Sequence, residues 1–261
     1  MNKTQLLEEL KSEGFSNFII NSFEKVKRGL FVPKEFKESA YLNQPIPIAP
    51  GATVSQPYTI AFMLNLLEFD KLTNNEKISN KLVNDKTNKR DDFMNLEASK
   101  QDLQSEQQKS QHLKGRELDI TNKNKIKILE IGSGSGYVLA LIDEILKFQN
   151  LQNFLSIEIY GIERINELVK KSRQILNKNK NIIIINKDGS RGLKEHAPFD
   201  RILVSAAFEK IPENLFEQLK NNGILVTPVK NSIFQFKKVN NKIQKKEFPG
   251  FVFVPVVEGK E

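Results

Sequence analysis

Ile126-Lys127-Ile128-Leu129-Glu130-Ile131-Gly132-Ser133-Gly134-Ser135-Gly136-Tyr137 is the stretch on which the reading of the fold turns. Ile126 to Ile131 reads as a buried strand, and Tyr137 to Phe148 as a helix. Between them glycines alternate with serines, and a residue without a side chain lets bare backbone approach a ligand at a helix N-terminus. This arrangement is the signature of a nucleotide-type cofactor pocket. A dinucleotide fingerprint, G-x-G-x-x-G, asks for glycine or alanine at its last position, where Tyr137 stands instead. The spacing present is E-x-G-x-G-x-G, with Glu130 inside the strand end.

Downstream, strands and helices alternate. Ile157 to Ile162 reads as a strand, Ile165 to Leu176 as a helix, and Asn181 to Asn186, with its four consecutive isoleucines, as a strand too β-branched for a helix. Phe199 to Ser205 is a strand, Pro212 to Leu219 a helix and Gly223 to Val229 a strand. Such alternation predicts right-handed crossovers and an α/β, Rossmann-like fold with a mostly parallel sheet flanked by helices. Ile233 to Val239 and Phe251 to Val257 read as a C-terminal antiparallel β addition.

Upstream, residues 4 to 28 show helical spacing, an N-terminal helical extension. Gly29 to Pro57, with prolines at 33, 45, 47, 50 and 57, reads as an ordered loop, and Thr59 to Phe69 as a helix. Residues 70–125 are polar and rich in Asn, Lys, Gln and Asp, with too little apolar surface to offset ordering entropy. They read as a surface insertion, disordered or forming loosely docked charged helices. The division expected is therefore 1–69 as helices and substrate/cofactor loop, 70–125 as insertion, and 126–261 as the cofactor-binding α/β core, which forms one domain with 1–69.

The chain of 261 residues has no cysteine, so disulfides, Cys-ligated metal and thiol nucleophiles are excluded. His112 and His196 are its two histidines and lie far apart, so no metal site is expected, and His112 reads as a solvated side chain. The net charge of +8 comes from lysines spread along the chain without interleaved aromatics, which fits solubility better than nucleic-acid binding. No segment approaches the roughly 20 apolar residues of a membrane span, and the amino terminus lacks the apolar core of a signal peptide. A cytoplasmic, monomeric enzyme is expected.

E-x-G-x-G-x-G in this setting is the pattern of class I methyltransferases, which take S-adenosyl-L-methionine (AdoMet). A second acid belongs at the end of the next strand, where its carboxylate can accept ribose hydroxyls; Glu163 stands there. Asp188-Gly189 follows the third strand at the same sheet edge.

The chain more specifically resembles the protein-L-isoaspartate (D-aspartate) O-methyltransferase family. The resemblance rests on blocks in order: Gly29-Leu30-Phe31-Val32-Pro33, Pro45-Ile46-Pro47-Ile48, Thr53-Val54-Ser55-Gln56-Pro57-Tyr58, the glycine turn, Ile162-Glu163-Arg164, Asp188-Gly189, Ser205-Ala206-Ala207 and Phe253-Val254-Pro255. Thr53 to Tyr58 is the most diagnostic, having no reason to exist in a generic methyltransferase. The resemblance implies methyl transfer from AdoMet to the α-carboxylate of L-isoaspartyl residues in damaged proteins or peptides. It further implies that Ser55 places its hydroxyl on the substrate carboxylate, that Thr53, Val54 and Gln56 line the same loop beside the cofactor, that Gly132, Gly134, Ser135 and Gly136 meet the methionine moiety, and that Glu130 is cofactor-binding. Glu163 falls to the ribose, Asp188 and Gly189 to the adenine edge, and Gln235 to a cofactor-side glutamine of the family. The sequence departs from the family pattern at Ala49-Pro50-Gly51-Ala52 and at Lys187, changes expected to bear on substrate affinity more than on cofactor binding. Alternatives left open are a methyltransferase for another carboxylate, a small molecule or nucleic acid, and a non-catalytic isoaspartyl-binding module.

Overall fold

The computed structural model describes residues 1–73, 125–151 and 156–256. Most of the expected insertion, His112 with it, lies outside the described residues. Met1–Asp70 and Ile126–Glu261 pack as one compact unit.

Its centre is a sheet of seven strands: β3 (Lys125–Ile131), β4 (Ser156–Glu163), β5 (Ile182–Asn186), β6 (Phe199–Val204), β7 (Leu219–Val229), β8 (Ser232–Val239) and β9 (Lys242–Pro249). They are ordered β5-β4-β3-β6-β7-β8-β9. The β3–β6, β4–β5 and β6–β7 pairs are parallel, and β8 and β9 add antiparallel. The chain thus runs outward from β3 to β5 and returns to place β6 on β3's other side, which opens a crevice at the carboxyl ends of β3, β4 and β6. Strands covered on both faces need near-continuous apolar sequence, and Ile128, Leu129, Ile159, Ile162, Ile202 and Val204 are almost fully buried.

Helices α1 (Lys3–Ser12), α2 (Asn17–Lys25), α3 (Pro57–Leu66), α4 (Tyr137–Phe148) and α5 (Asn166–Ile175) supply the layers. Asn2 starts α1 with a capping box, its side chain taking the Gln5 N–H while Gln5 reaches back. Pro57 starts α3, where its missing N–H costs nothing. The apolar residues of α3, Ile60, Met63 and Leu64 among them, are buried, as an enclosed helix requires. Helix α2 packs on α4, with Phe23 edge-on to Tyr137 at 6.2 Å. Among the described residues no helix is long and apolar enough to cross a membrane.

The sheet departs from the sequence reading in three places. The loop from Gly29 to Pro57 contains a hairpin, β1 (Ile46–Ala49) on β2 (Ala52–Val54), turned at Pro50-Gly51 with Gly51 at φ 70°. Proline followed by a positive-φ glycine is what a type II turn demands, so prolines read as marking an ordered loop here turn a short hairpin. The helix expected over Pro212 to Leu219 shrinks to a 3₁₀ turn at Glu213–Gln218. Leu219 is already β7, paired with Phe199, so Leu215 and Leu219 imitate helical spacing while serving different elements. The third departure is the partner of β8. Lys242–Pro249 pairs with it through a two-residue Asn240-Asn241 turn, both asparagines at positive φ. As an exposed, lysine-rich edge strand, β9 shows no apolar alternation. Phe251 to Val256 forms no hairpin strand; it meets Ala207, whose N–H donates to Val254 O and whose carbonyl accepts Val256 N–H.

Candidate active site

Strand ends bring the acids and glycines together. The N–H groups of Gly132 and Ser133 both donate to Ile162 O, at 2.9 and 3.0 Å, and Ser205 N–H donates to Ile131 O at 2.9 Å, so the turns after β3 and β6 are stitched to their neighbours. Glu163 closes the glycine turn: one carboxylate oxygen accepts Gly134 N–H at 2.8 Å and the other accepts Ile165 N–H at 2.8 Å. Each oxygen keeps further lone pairs for a ligand. Gly134 has φ 52°, and a Cβ there would lie 3.1 Å from Ile48 Cδ1, so the turn takes glycine both for its backbone and for the close approach of the β1–β2 hairpin.

Glu130 is 1% exposed in the floor of this turn. Ser205 Oγ donates to its Oε1 at 2.7 Å, while its Oε2 has no partner. Burial pushes its carboxyl up to about 8; the Ser205 hydrogen bond opposes the shift and the charge of Glu163 adds to it. The hydroxyls of Ser133 and Ser135 are likewise buried without partners.

Three adjoining cavities meet at Thr53. The first lies between the Thr53–Ser55 loop and the glycine turn, over Glu130, with Ile60, Met63 and Leu203 as an apolar wall. The second opens along the sheet edge past Gly132, Glu163, Asp188 and Gly189, roofed by Pro50 to Ala52 and by Val254 to Val256. The third is a groove running from Ser55 and Gln56 to Gly250–Val254. Ser55 faces both the first cavity and the groove.

Most residues singled out in the sequence therefore gather here: Thr53, Val54, Ser55, Gln56, Glu130, Gly132, Gly134, Ser135, Glu163, Asp188 and Gly189 all line one of these cavities. Two do not. Gly136 lines none of the three; its missing Cβ admits α5, since a Cβ there would meet Leu176 Cδ1 at 2.8 Å and Ser172 Cβ at 3.2 Å. Gln235 lines none of the three either; it is buried in β8, where its amide donates to Leu66 O and Glu68 and ties α3 to the sheet. The departures at Pro50–Ala52 and Lys187 line the second cavity, beside Glu163 and Asp188, and do not line the groove.

Sequence reading missed Arg28, Ser205 and the Gly250–Val254 wall. Ser205 stood in a block that carried the family resemblance and was given no role. Arg28 offered no signal, because an arginine after a helix reads as a surface charge unless its burial is known.

The family model for protein-L-isoaspartate(D-aspartate) O-methyltransferase (PCMT) matches residues 1–80 and 87–261. A protein-L-isoaspartate O-methyltransferase of Fervidobacterium nodosum is 34% identical over 257 residues, covering 96% of this chain and 99% of its own. One from Dictyoglomus thermophilum is 33% identical, covering 97% of this chain and 90% of its own. Among solved structures, a PCMT from Plasmodium falciparum in complex with S-adenosyl-L-homocysteine aligns with a TM-score of 0.69 at 23% identity, over 99% of this chain and 100% of its own. At that identity the likeness speaks to the fold.

Proposed function

The chain belongs to the protein-L-isoaspartate(D-aspartate) O-methyltransferase family, and from that premise we infer that its three adjoining cavities hold AdoMet and an isoaspartyl peptide. The protein methylates the free α-carboxylate of L-isoaspartyl residues in damaged proteins; the ester then closes to a succinimide, whose hydrolysis returns some aspartate. The observation that carries the assignment of roles is the position of Thr53 and Ser55, one loop walling both the cavity at the glycine turn and the open groove.

The donor set suits AdoMet. A buried carboxylate oxygen of Glu130 and the hydroxyls of Ser133 and Ser135, all without partners, suit an ammonium and a carboxylate, and a bound ligand would meet their otherwise unmet hydrogen-bonding capacity. Glu163 and Asp188 face the second cavity, where hydroxyls and an amino edge need acceptors. When bound there, AdoMet supplies a methyl group already activated by its sulfonium. An ionised carboxylate is already a nucleophile, so the chain need supply no general base, and positioning dominates. Ser55 donates to the substrate carboxylate and holds it in line, Ile60, Met63 and Leu203 keep water from the reacting centre, and Phe251 to Val254 flank the peptide.

Methyl transfer to an isoaspartyl peptide, run beside its aspartyl twin, tests the assignment. Transfer to the isoaspartyl peptide alone is expected, and equal or absent labelling of both would overturn it. Work as a monomer in the cytoplasm is part of the same proposal, resting on the charged, cysteine-free composition; cell fractionation and size-exclusion chromatography check it.

A further inference from the structure

Arg28 is the largest fully buried side chain of the fold's described part, at 0% exposure, and none of its hydrogen bonds goes to a carboxylate. Its guanidinium donates instead to backbone carbonyls: Leu42 and Gln44 at 3.2 Å each, Val54 at 3.4 Å and Ser55 at 2.9 Å. These carbonyls flank the β1–β2 hairpin on both sides, so one planar group clamps the chain entering the hairpin to the chain leaving it at Ser55. Its carbon also lies 5.9 Å from the centre of the Tyr137 ring, the first residue of the helix that follows the glycine turn.

A lone buried cation is costly to desolvate, and the same burial holds the Arg28 guanidinium down at about 10, still charged at neutral pH. Nearby buried carbonyls need donors, but simpler chemistry could provide them. Only a flat fork reaches carbonyls on both sides of a hairpin while resting against an aromatic ring, which the ammonium of lysine cannot imitate.

We propose that Arg28 is a positioning residue for methyl transfer: it sets the Ser55 hydroxyl against the glycine turn by fixing the Val54 and Ser55 carbonyls to the helix that carries that turn. This rests on the reading of Ser55 given above. The role is through Ser55, because Arg28 lines none of the three cavities and Ser55 lines two. A small displacement of Ser55 lowers the rate of transfer while leaving the cofactor's contacts with Glu130 and Glu163 in place.

The test is a double-mutant cycle on the full chain, with Arg28→Lys and Ser55→Ala singly and together, read by kcat and KM for an isoaspartyl peptide and by calorimetry with AdoMet. Arg28→Lys is expected to lower kcat about tenfold or more, to leave AdoMet affinity near that of the wild type, and to add little when Ser55 is already alanine. A merely structural role predicts that the two losses multiply, because independent sites contribute additively in free energy. Multiplying losses, a Ser55→Ala enzyme as fast as wild type, or a parallel fall in AdoMet affinity would each overturn the proposal. Arg28→Gln, which keeps an amide donor, runs the same cycle if Arg28→Lys does not fold; failure of both to fold also counts against it. A wild-type chain that does not distinguish the isoaspartyl peptide from its twin removes the underlying reading, whereas a discriminating wild type with multiplying losses removes Arg28 alone.

Discussion

Glu163 holds Gly134: the carboxylate at the end of β4 accepts the N–H in the middle of the glycine turn at 2.8 Å. An acid read from sequence as a ribose ligand is therefore also the brace of the glycine turn. The two jobs are compatible, because each carboxylate oxygen gives one lone pair to a backbone amide and keeps another.

Glu163→Gln should consequently do two things at once. The amide keeps one acceptor oxygen, so a charge-assisted bond to Gly134 or Ile165 is lost, at about 1.5–3 kcal/mol. AdoMet affinity should fall about tenfold or more by calorimetry, and the thermal midpoint should drop in the same samples. An unchanged midpoint with weakened binding would assign Glu163 to the ligand alone.

Gly134→Val should abolish measurable AdoMet binding. The backbone there, at φ 52°, suits no β-branched residue, a strain of about 1–3 kcal/mol. The new side chain also points into the 3.1 Å gap to Ile48 Cδ1. Retained binding in a folded variant would make the turn purely structural.

Ser55→Ala should lower transfer to an isoaspartyl peptide about ten- to a hundredfold, the worth of one hydrogen bond to a charged group. AdoMet affinity should hardly move. A steady-state assay beside an isothermal titration separates the two, and an unaltered rate takes Ser55 out of the chemistry.

Glu130 should make stability, and AdoMet binding with it, depend on pH. Its carboxyl stands at about 8 in the folded chain against an ordinary 4.5, so the folded state holds a proton that the unfolded state releases between those values. For a raised acid the contribution to stability is complete below pH 4.5 and is lost as pH rises towards 8, with a slope of at most about 1.4 kcal/mol per pH unit. Chemical denaturation of the ligand-free protein across that window should show the slope, and Glu130→Gln should flatten it. If the Glu130 carboxylate receives an ammonium group, AdoMet binding at pH 7 should release a proton, visible as a dependence of calorimetric enthalpy on the buffer's own ionisation heat. No release would mean that another group meets the ammonium.

Legibility of this protein in its sequence followed locality. Ile126 to Tyr137 declared a strand, a bare turn and a helix because hydrophobic period and glycine chemistry act over a few residues, and the parallel sheet followed from the alternation that continues to Val229. Glu163 and Asp188 were legible for the same reason, since an acid at a strand's carboxyl end needs no knowledge of partners. The 3₁₀ turn at Glu213–Gln218 was not, because Leu219 is claimed by Phe199 across the sheet and local spacing cannot see that claim.

What the sequence by itself determined is a glycine turn and the acids beside it at the strand ends, built from short-range rules. Only the tertiary structure decided which of the singled-out residues line the three cavities. It turned Gly136 towards α5 and Gln235 towards α3, sealed Arg28 under the Ser55 loop, and laid Phe251 to Val254 along the groove. The physical reason is that burial and hydrogen-bond partnership belong to pairs of residues far apart in the chain, so they exist only once the chain has closed on itself.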